Sequence, residues 1–269
     1  MSYKLGVIGG GVMAEAIISC LLDQKIYQSN QIQVSEPQVS RRKYWQDSYG
    51  VVTTNNNQEL FDHCEVLLLA IKPQIFSLVA SELEGINSAN SPRLIISILA
   101  GTSLDKLESV FSRSGVIRVM PNTPALVGKG MTAIAPNGKV SKEDLTVAQS
   151  IFGAIGEVIE VPEYQMDAVT GLSGSGPAFV AMMVEALSDG GVAVGLPRAI
   201  ASQLALQTVL GTAELIKTKQ LHPAVLKDQV TSPGGTTIAG VAQLEKNGFR
   251  HALIEAVKAA KVRSEELNG

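Results

Sequence analysis

Leu5-Gly6-Val7-Ile8 runs directly into Gly9-Gly10-Gly11-Val12-Met13-Ala14, and this stretch decides the fold. It reads as a short apolar strand, a glycine turn of pattern Gly-x-Gly-x-x-Ala, and the opening of a helix. Gly9 permits the tight turn, Gly11 lets the backbone approach a pyrophosphate, and Ala14 lets helix and strand pack closely. The phosphates of a dinucleotide then face the N–H groups and partial positive charge of the helix N-terminus. A second strand, Ile32–Ser35, ends on Glu36, where a carboxylate can accept hydrogen bonds from an adenosine ribose. That favours NADH, yet Arg41 and Arg42 follow, and an arginine there can receive a 2′-phosphate. NADPH and NADH both stay open, against the plainer reading of a solvated charged helix start.

Working outward, short apolar runs alternate with amphipathic stretches. Strands are expected at Lys4–Ile8, Ile32–Ser35, Val51–Thr53, Val66–Ile71, Leu94–Ile98, Val116–Met120, Met131–Ala135 and Glu157–Val161. Helices are expected at Met13–Leu22, Val39–Tyr49, Asn57–His63, Gln74–Leu83, Ser103–Phe111 and Lys142–Phe152. This alternation predicts an α/β domain with a Rossmann-like, doubly wound parallel sheet over residues 1–162. From Pro162 the strands stop, and residues 163–269 read as an all-α domain with helices at Pro177–Val194, Arg198–Lys217, Pro233–Lys246 and Phe249–Glu266. The first of these is apolar nearly all round, which calls for burial on every side. So few helices cannot surround it, and a homodimer through this region is expected.

The 269 residues are 45% apolar with net charge −3, enough for two cored domains and without a basic stripe for nucleic acid. No secretory signal opens the chain at Met1, Ser2, Tyr3 and Lys4, and the run Val66–Ile71 is far below the ~20 residues of a membrane span. A soluble, cytoplasmic protein with no membrane partner is expected. Cys20 and Cys64 form no CxxC pair, so no disulfide framework or zinc site is encoded, and both read as small buried apolar residues. His63, His222 and His251 lie too far apart for a local ligand motif. A reaction that needs neither a metal nor a histidine base is favoured.

Ser232-Pro233-Gly234-Gly235-Thr236-Thr237 reads as an anion site, with Ser232 capping and Pro233 starting a helix. Two bare glycines and two threonine hydroxyls would then offer donors to a carboxylate at the helix N-terminus. Two glycines inside a first helical turn cost roughly 1 kcal/mol each relative to alanine, which asks for a functional reason. An ordinary capped helix is the plainer reading.

The segment Leu226-Lys227-Asp228-Gln229-Val230-Thr231-Ser232-Pro233-Gly234-Gly235-Thr236-Thr237-Ile238 resembles the pyrroline-5-carboxylate reductase family. So do Ala70-Ile71-Lys72-Pro73-Gln74, Met120-Pro121-Asn122-Thr123-Pro124 and Val169-Thr170-Gly171-Leu172-Ser173-Gly174-Ser175-Gly176-Pro177-Ala178, in the family's order. The resemblance implies reduction of the cyclic imine 1-pyrroline-5-carboxylate to L-proline by hydride from NADPH or NADH. It also implies dimers through interleaved C-terminal helices, often built into rings. Carried over by motif, the cofactor touches Ile8, Gly9, Gly10, Gly11, Val12 and Met13, then Glu36, Asn57, Ala70, Ile71, Lys72, Pro73 and Ala100. The substrate site uses the backbone near Glu163, Ser232, Gly235 and Thr236, together with Thr237. The acidic Glu36 departs from NADP-preferring relatives, which often carry a small or basic residue there.

Hydride addition to a carbon–nitrogen double bond needs a donor near the nitrogen and no strong base. Thr237 fits as a positioning donor and proton relay, with most of the rate from holding imine and nicotinamide face to face. A hydroxyacid dehydrogenase would place a lysine base where Val180 stands after Gly174-Ser175-Gly176. A non-catalytic dinucleotide sensor would have no use for an intact Ser232–Thr237 segment.

Overall fold

Val66, Leu67, Leu68 and Leu69 are apolar in succession because their strand is buried on both faces. Val66 and Leu68 join one hydrophobic cluster, Leu67 and Leu69 the other. The computed structural model describes residues 2–83 and 92–268. Its strands are β1 (Tyr3–Ile8), β2 (Ile32–Ser35), β3 (Val52–Thr54), β4 (Cys64–Leu69), β5 (Leu94–Ser97), β6 (Gly115–Met120), β7 (Gly130–Pro136) and β8 (Gly156–Glu160). They form one sheet in the order β3-β2-β1-β4-β5-β6-β7-β8. The strand order reverses between β1 and β4, and this is the switch point at which such sheets open a crevice.

Among the described residues six helices cover the faces: α1 (Val12–Asp23), α2 (Val39–Tyr49), α3 (Asn57–Asp62), α4 (Phe76–Leu83), α5 (Leu104–Val110) and α6 (Lys142–Gly153). In α1, Ala14, Ile17, Ile18 and Leu21 recur at helical spacing and enter the first cluster; in α4, Phe76, Val79, Ala80 and Leu83 enter the second. Cys64 is buried there, and loss of water raises its thiol pKa to about 12, as befits an inert apolar filler. Cys20 is half-buried against the first cluster.

The sheet departs from the all-parallel expectation at one ladder, where β7 runs antiparallel to β6, with Met120 opposite Ala133. The connection 121–129 holds only a 3₁₀ turn (Thr123–Val127), too short for the crossover that parallel pairing requires.

The chain divides into two compact units: residues 1–174 with 260–269, and residues 175–259. This boundary lies beyond 162/163 because the segment that follows Pro162 is tied to the sheet. That segment holds α7 (Met166–Val169) and a π-helical turn (Thr170–Gly174). Arg118 on β6 pairs with Glu163 and Asp167, Asn122 donates to the Ser173 carbonyl at 3.1 Å, and Ser264 donates to Asp167 at 2.7 Å.

The second unit is helical: α8 (Gly176–Ala193), α9 (Arg198–Lys219), α10 (Pro223–Gln229), α11 (Thr236–Lys246) and the first part of α12 (Phe249–Asn268). Sequence periodicity missed α10, which is short and is opened by the His222 ring, whose Nδ1 accepts the Ala224 N–H at 3.2 Å. The expected start of α11 at Pro233 is also corrected, to Thr236. Gly234 has φ +67, a left-handed value that no helix interior accommodates, and Gly235 is the N-cap. The glycines therefore precede the helix, and the cost expected of them inside a first turn does not arise.

Within α8 only Ser188 is buried, while Met182 is 68% exposed and Val194, just beyond its end, 82%. Leu204, Leu206 and Leu210 of α9 are likewise exposed. By length and composition α9 alone among the described residues could cross a membrane, with a mean hydropathy of 1.2 in its most apolar window. The expectation of no such segment rested on unbroken apolar runs, and Gln203, Gln207 and Glu214 interrupt this one.

Candidate active site

The first unit gathers its expected cofactor residues at the carboxyl ends of β1 to β5. Gly9 has φ +100, and a side chain there would lie 2.5 Å from the Ala70 carbonyl oxygen, so this glycine is needed both for its angle and for its closeness to the next strand. The Gly9 and Ala70 amides donate to the Ser35 and Ile8 carbonyls, each at 2.9 Å, which ties the turn to the tips of β2 and β1. Ile71 lines the same approach, while Lys72 and Pro73 are exposed and open a 3₁₀ turn. Ala100 is exposed on the turn after β5.

Gly11 is the N-cap of α1, in extended conformation and without a side-chain acceptor, and a Cβ on it would meet nothing within 4 Å. Val12 is exposed and Met13 half-buried beside it. The first-turn N–H groups of α1 thus face open space, a cradle suited to a pyrophosphate.

Glu36 is 8% exposed, and its two carboxylate oxygens accept the Gly10 and Gln38 amides, each at 3.0 Å. Each oxygen keeps a lone pair for a ribose hydroxyl. The two arginines left open by sequence have separate fates. Arg41 donates through Nε to the Gly10 carbonyl at 2.6 Å and pairs with Glu15. Arg42 lies over the tip of β2, donating to the Glu36 and Pro37 carbonyls at 2.7 and 2.8 Å.

Asn57 is held by Ser35, whose hydroxyl donates to it at 2.6 Å, and by Glu82, to which it donates at 2.6 Å. It lines a polar cavity of about 490 Å³ with Asn55, Asn56, Gln58 and Glu82. The run of asparagines at a helix start was the available sign of those neighbours.

Glu163 is fixed by its side chain. Its Oε1 accepts the Leu104 amide at 2.5 Å and Arg118 at 3.3 Å. Sequence reading missed Arg118, since an arginine inside an apolar strand gives no hint of its partners. Residues 103–104 start α5 directly after the Ala100 turn, so Glu163 also braces that loop.

In the second unit, Ser232, Gly235, Thr236 and Thr237 sit in one turn. The Gly235 amide donates to the Ser232 carbonyl at 3.1 Å, and a side chain on Gly235 would come within 2.3 Å of the Ser232 hydroxyl. Ser232 therefore shapes the turn rather than capping α11. Gly235 brings no side-chain cap, which leaves the first N–H groups of α11 to a ligand or to water. Thr237, on that first turn, is half-buried.

Comparison with known proteins gives the family. Residues 163–267 match the family described as pyrroline-5-carboxylate reductase dimerisation, and residues 4–101 match NADP oxidoreductase coenzyme F420-dependent. A pyrroline-5-carboxylate reductase of Synechocystis sp. is 61% identical over 99% of both chains. The solved structure of the enzyme from Coxiella burnetii superposes with a TM-score of 0.92 at 34% identity, covering 100% of both chains. A Plasmodium falciparum pyrroline carboxylate reductase, solved with NADP bound, gives a TM-score of 0.88 at 34% identity over 99% of this chain and 98% of its own. By full-length identity and by fold, the chain belongs to the pyrroline-5-carboxylate reductase family.

Proposed function

We propose that this protein reduces 1-pyrroline-5-carboxylate to L-proline, with NADPH or NADH as hydride donor, in the last step of proline synthesis. The observation that carries the reading is that both glycine turns are intact in a chain 61% identical, end to end, to a named reductase. When bound, the reduced nicotinamide supplies the hydride. The turn Ile8–Met13 takes the pyrophosphate, Glu36 the adenosine ribose, and Asn57, Ala70–Pro73 and Ala100 further parts of the dinucleotide. The backbone near Glu163, Ser232, Gly235 and Thr236 takes the substrate. The free N–H groups at the start of α11 suit its carboxylate, and the Thr237 hydroxyl donates to the ring nitrogen, which gains a proton as its carbon gains the hydride.

On this reading residues 1–162 serve the dinucleotide, and residues 163–269 serve the substrate and dimerisation. The exposed apolar faces of α8 and α9 support a homodimer through the C-terminal helices, and rings of dimers are the larger assembly we expect. A second subunit gives α9 the apolar cover that a bilayer would otherwise supply, and we place the enzyme in the cytoplasm.

The test is the loss of NADPH or NADH absorbance with synthetic pyrroline-5-carboxylate, with L-proline identified as the product. Absence of turnover with both cofactors, in a protein that binds them, would sink the reading.

A further inference from the structure

Three consecutive glycines give the dinucleotide turn more freedom than its function tolerates, and something must hold it. Gly10 is pinned on both sides. Its amide donates to Glu36 Oε2 at 3.0 Å, and its carbonyl accepts two donors from α2, Arg41 Nε at 2.6 Å and Trp45 Nε1 at 3.3 Å. In a trans peptide the carbonyl and the following N–H point in opposite directions. Two donors on the Gly10 carbonyl therefore aim the Gly11 N–H away from α2, on a residue that is exposed and has open space about its Cα.

Arg41 is itself anchored. It pairs with Glu15 on α1, its guanidinium lies 4.6 Å above the Tyr44 ring centroid, and Glu15 accepts the Tyr44 and Tyr49 hydroxyls at 2.6 and 3.0 Å. Trp45 is wholly buried, and a side chain on Gly10 would come within 2.5 Å of its ring nitrogen. With Nε and Nη2 engaged in this way, Arg41 is turned toward the turn's backbone and toward α1.

We propose that Arg41 is a positioning residue for dinucleotide binding. With Glu15 and Trp45 it holds the Gly10 peptide in its binding orientation before the ligand arrives, and it takes no part in telling a 2′-phosphate from a 2′-hydroxyl. This rests on the reductase reading above and assigns a role within the same site. Preorganisation of this kind removes an ordering cost common to both dinucleotides, so its loss weakens both alike.

Trp45 is the chain's single tryptophan and lies under the turn, so quenching of its emission reports binding without turnover. Wild type, Arg41→Met, Arg41→Lys and Glu15→Gln are titrated with NADPH and with NADH, each beside a melting curve. Arg41→Met is expected to weaken both dinucleotides by about tenfold, the scale of a lost hydrogen bond from a charged group, with their ratio unchanged. Arg41→Lys should not restore binding, because one ammonium cannot serve both acceptors that Nε and Nη2 reach. Glu15→Gln, which keeps Arg41 but loosens its anchor, should weaken both by a smaller and equal factor, and carries the test if Arg41→Met does not fold. Loss confined to NADPH, rescue by lysine, or unchanged affinity for both would overturn the proposal. A wild type that binds neither dinucleotide would overturn the reductase reading and this role with it.

Discussion

The Glu36 carboxylate accepts the Gly10 amide at 3.0 Å, so the acid proposed for the ribose also braces the turn proposed for the phosphates. A substitution there changes charge and scaffold together unless the shape is kept. Glu36→Gln keeps one acceptor for Gly10 and removes the charge that repels a 2′-phosphate. The kcat/KM ratio of NADPH to NADH should rise by roughly tenfold, about 1.4 kcal/mol of recovered repulsion, with Arg42 as the adjacent cation. An unmoved ratio would place the ribose away from Glu36.

Gly11→Val tests the pyrophosphate cradle. The new side chain enters open space from an extended backbone that valine adopts readily, so the fold should be undisturbed. Binding of both dinucleotides should fall by at least roughly a hundredfold, since the branched side chain would stand where the proposed reading brings the phosphates. A melting curve like wild type beside a flat titration is the expected pair of results. Undiminished affinity would remove the turn from the site.

The strands, the crossovers and the glycine turn were legible because each has a local signature: buried parallel strands are continuous apolar runs, and Gly9 to Ala14 has a fixed spacing. Both ends of β2 and of α2 coincide with the reading, whereas α10 and the start of α11 do not. A one-turn error at α11 followed from treating Ser232-Pro233 as a cap and first residue, when the left-handed angle of Gly234 forces the helix to wait until Thr236. The contacts of Arg41, Trp45 and Arg118 were not legible for a different reason. Each acts on a partner distant in sequence, Gly10 for the first two and Glu163 for the third, and side-chain identity alone does not disclose such pairings.

Arg118 is 5% exposed and faces both Glu163 and Asp167, so its removal takes a cation away from two carboxylates. Breaking a buried ion pair from one side costs about 3–5 kcal/mol. Arg118→Met should therefore lower Tm by about 6–20 °C on the scale for domains of this size. Glu163 also holds the start of α5 beside Ala100, so KM for the dinucleotide should rise in whatever protein remains folded. A Tm within 2 °C of wild type, on the same scale, would show that the cluster adds nothing to stability.

Glu15 carries an acid-side prediction. Burial acts to raise its carboxyl, but hydrogen bonds from Tyr44, Arg41 and Tyr49 outweigh this and hold it below the ordinary value of 4.5. A depressed carboxylate stabilises the fold above its unfolded pKa, and that contribution is lost as pH falls through the folded value. Melting temperature measured from pH 7 downward should drop less steeply below 4.5 in Glu15→Gln than in wild type. Parallel acid limbs would mean that Glu15 titrates alike in both states.

Thr237 stands on the first turn of α11, half-buried, just beyond a turn in which a side chain on Gly235 would meet the Ser232 hydroxyl. If its hydroxyl donates to the ring nitrogen as the hydride arrives, the interaction is stronger in the transition state than in the bound imine, and its loss appears in kcat. Thr237→Val keeps the branching and volume and removes only the donor. kcat should fall by roughly 10²-fold, the scale of a positioned proton donor, with dinucleotide affinity unchanged. A purely structural threonine predicts the reverse pattern: a lower Tm, and near-normal kcat in the fraction that stays folded. Steady-state kinetics and a melting curve on one preparation separate the two. Because a threonine hydroxyl passes on a proton rather than supplying one unaided, the variant should also lose less at low pH, where more of the imine is already protonated. A stably folded Thr237→Val enzyme with wild-type kcat across that range would leave ordered water as the donor.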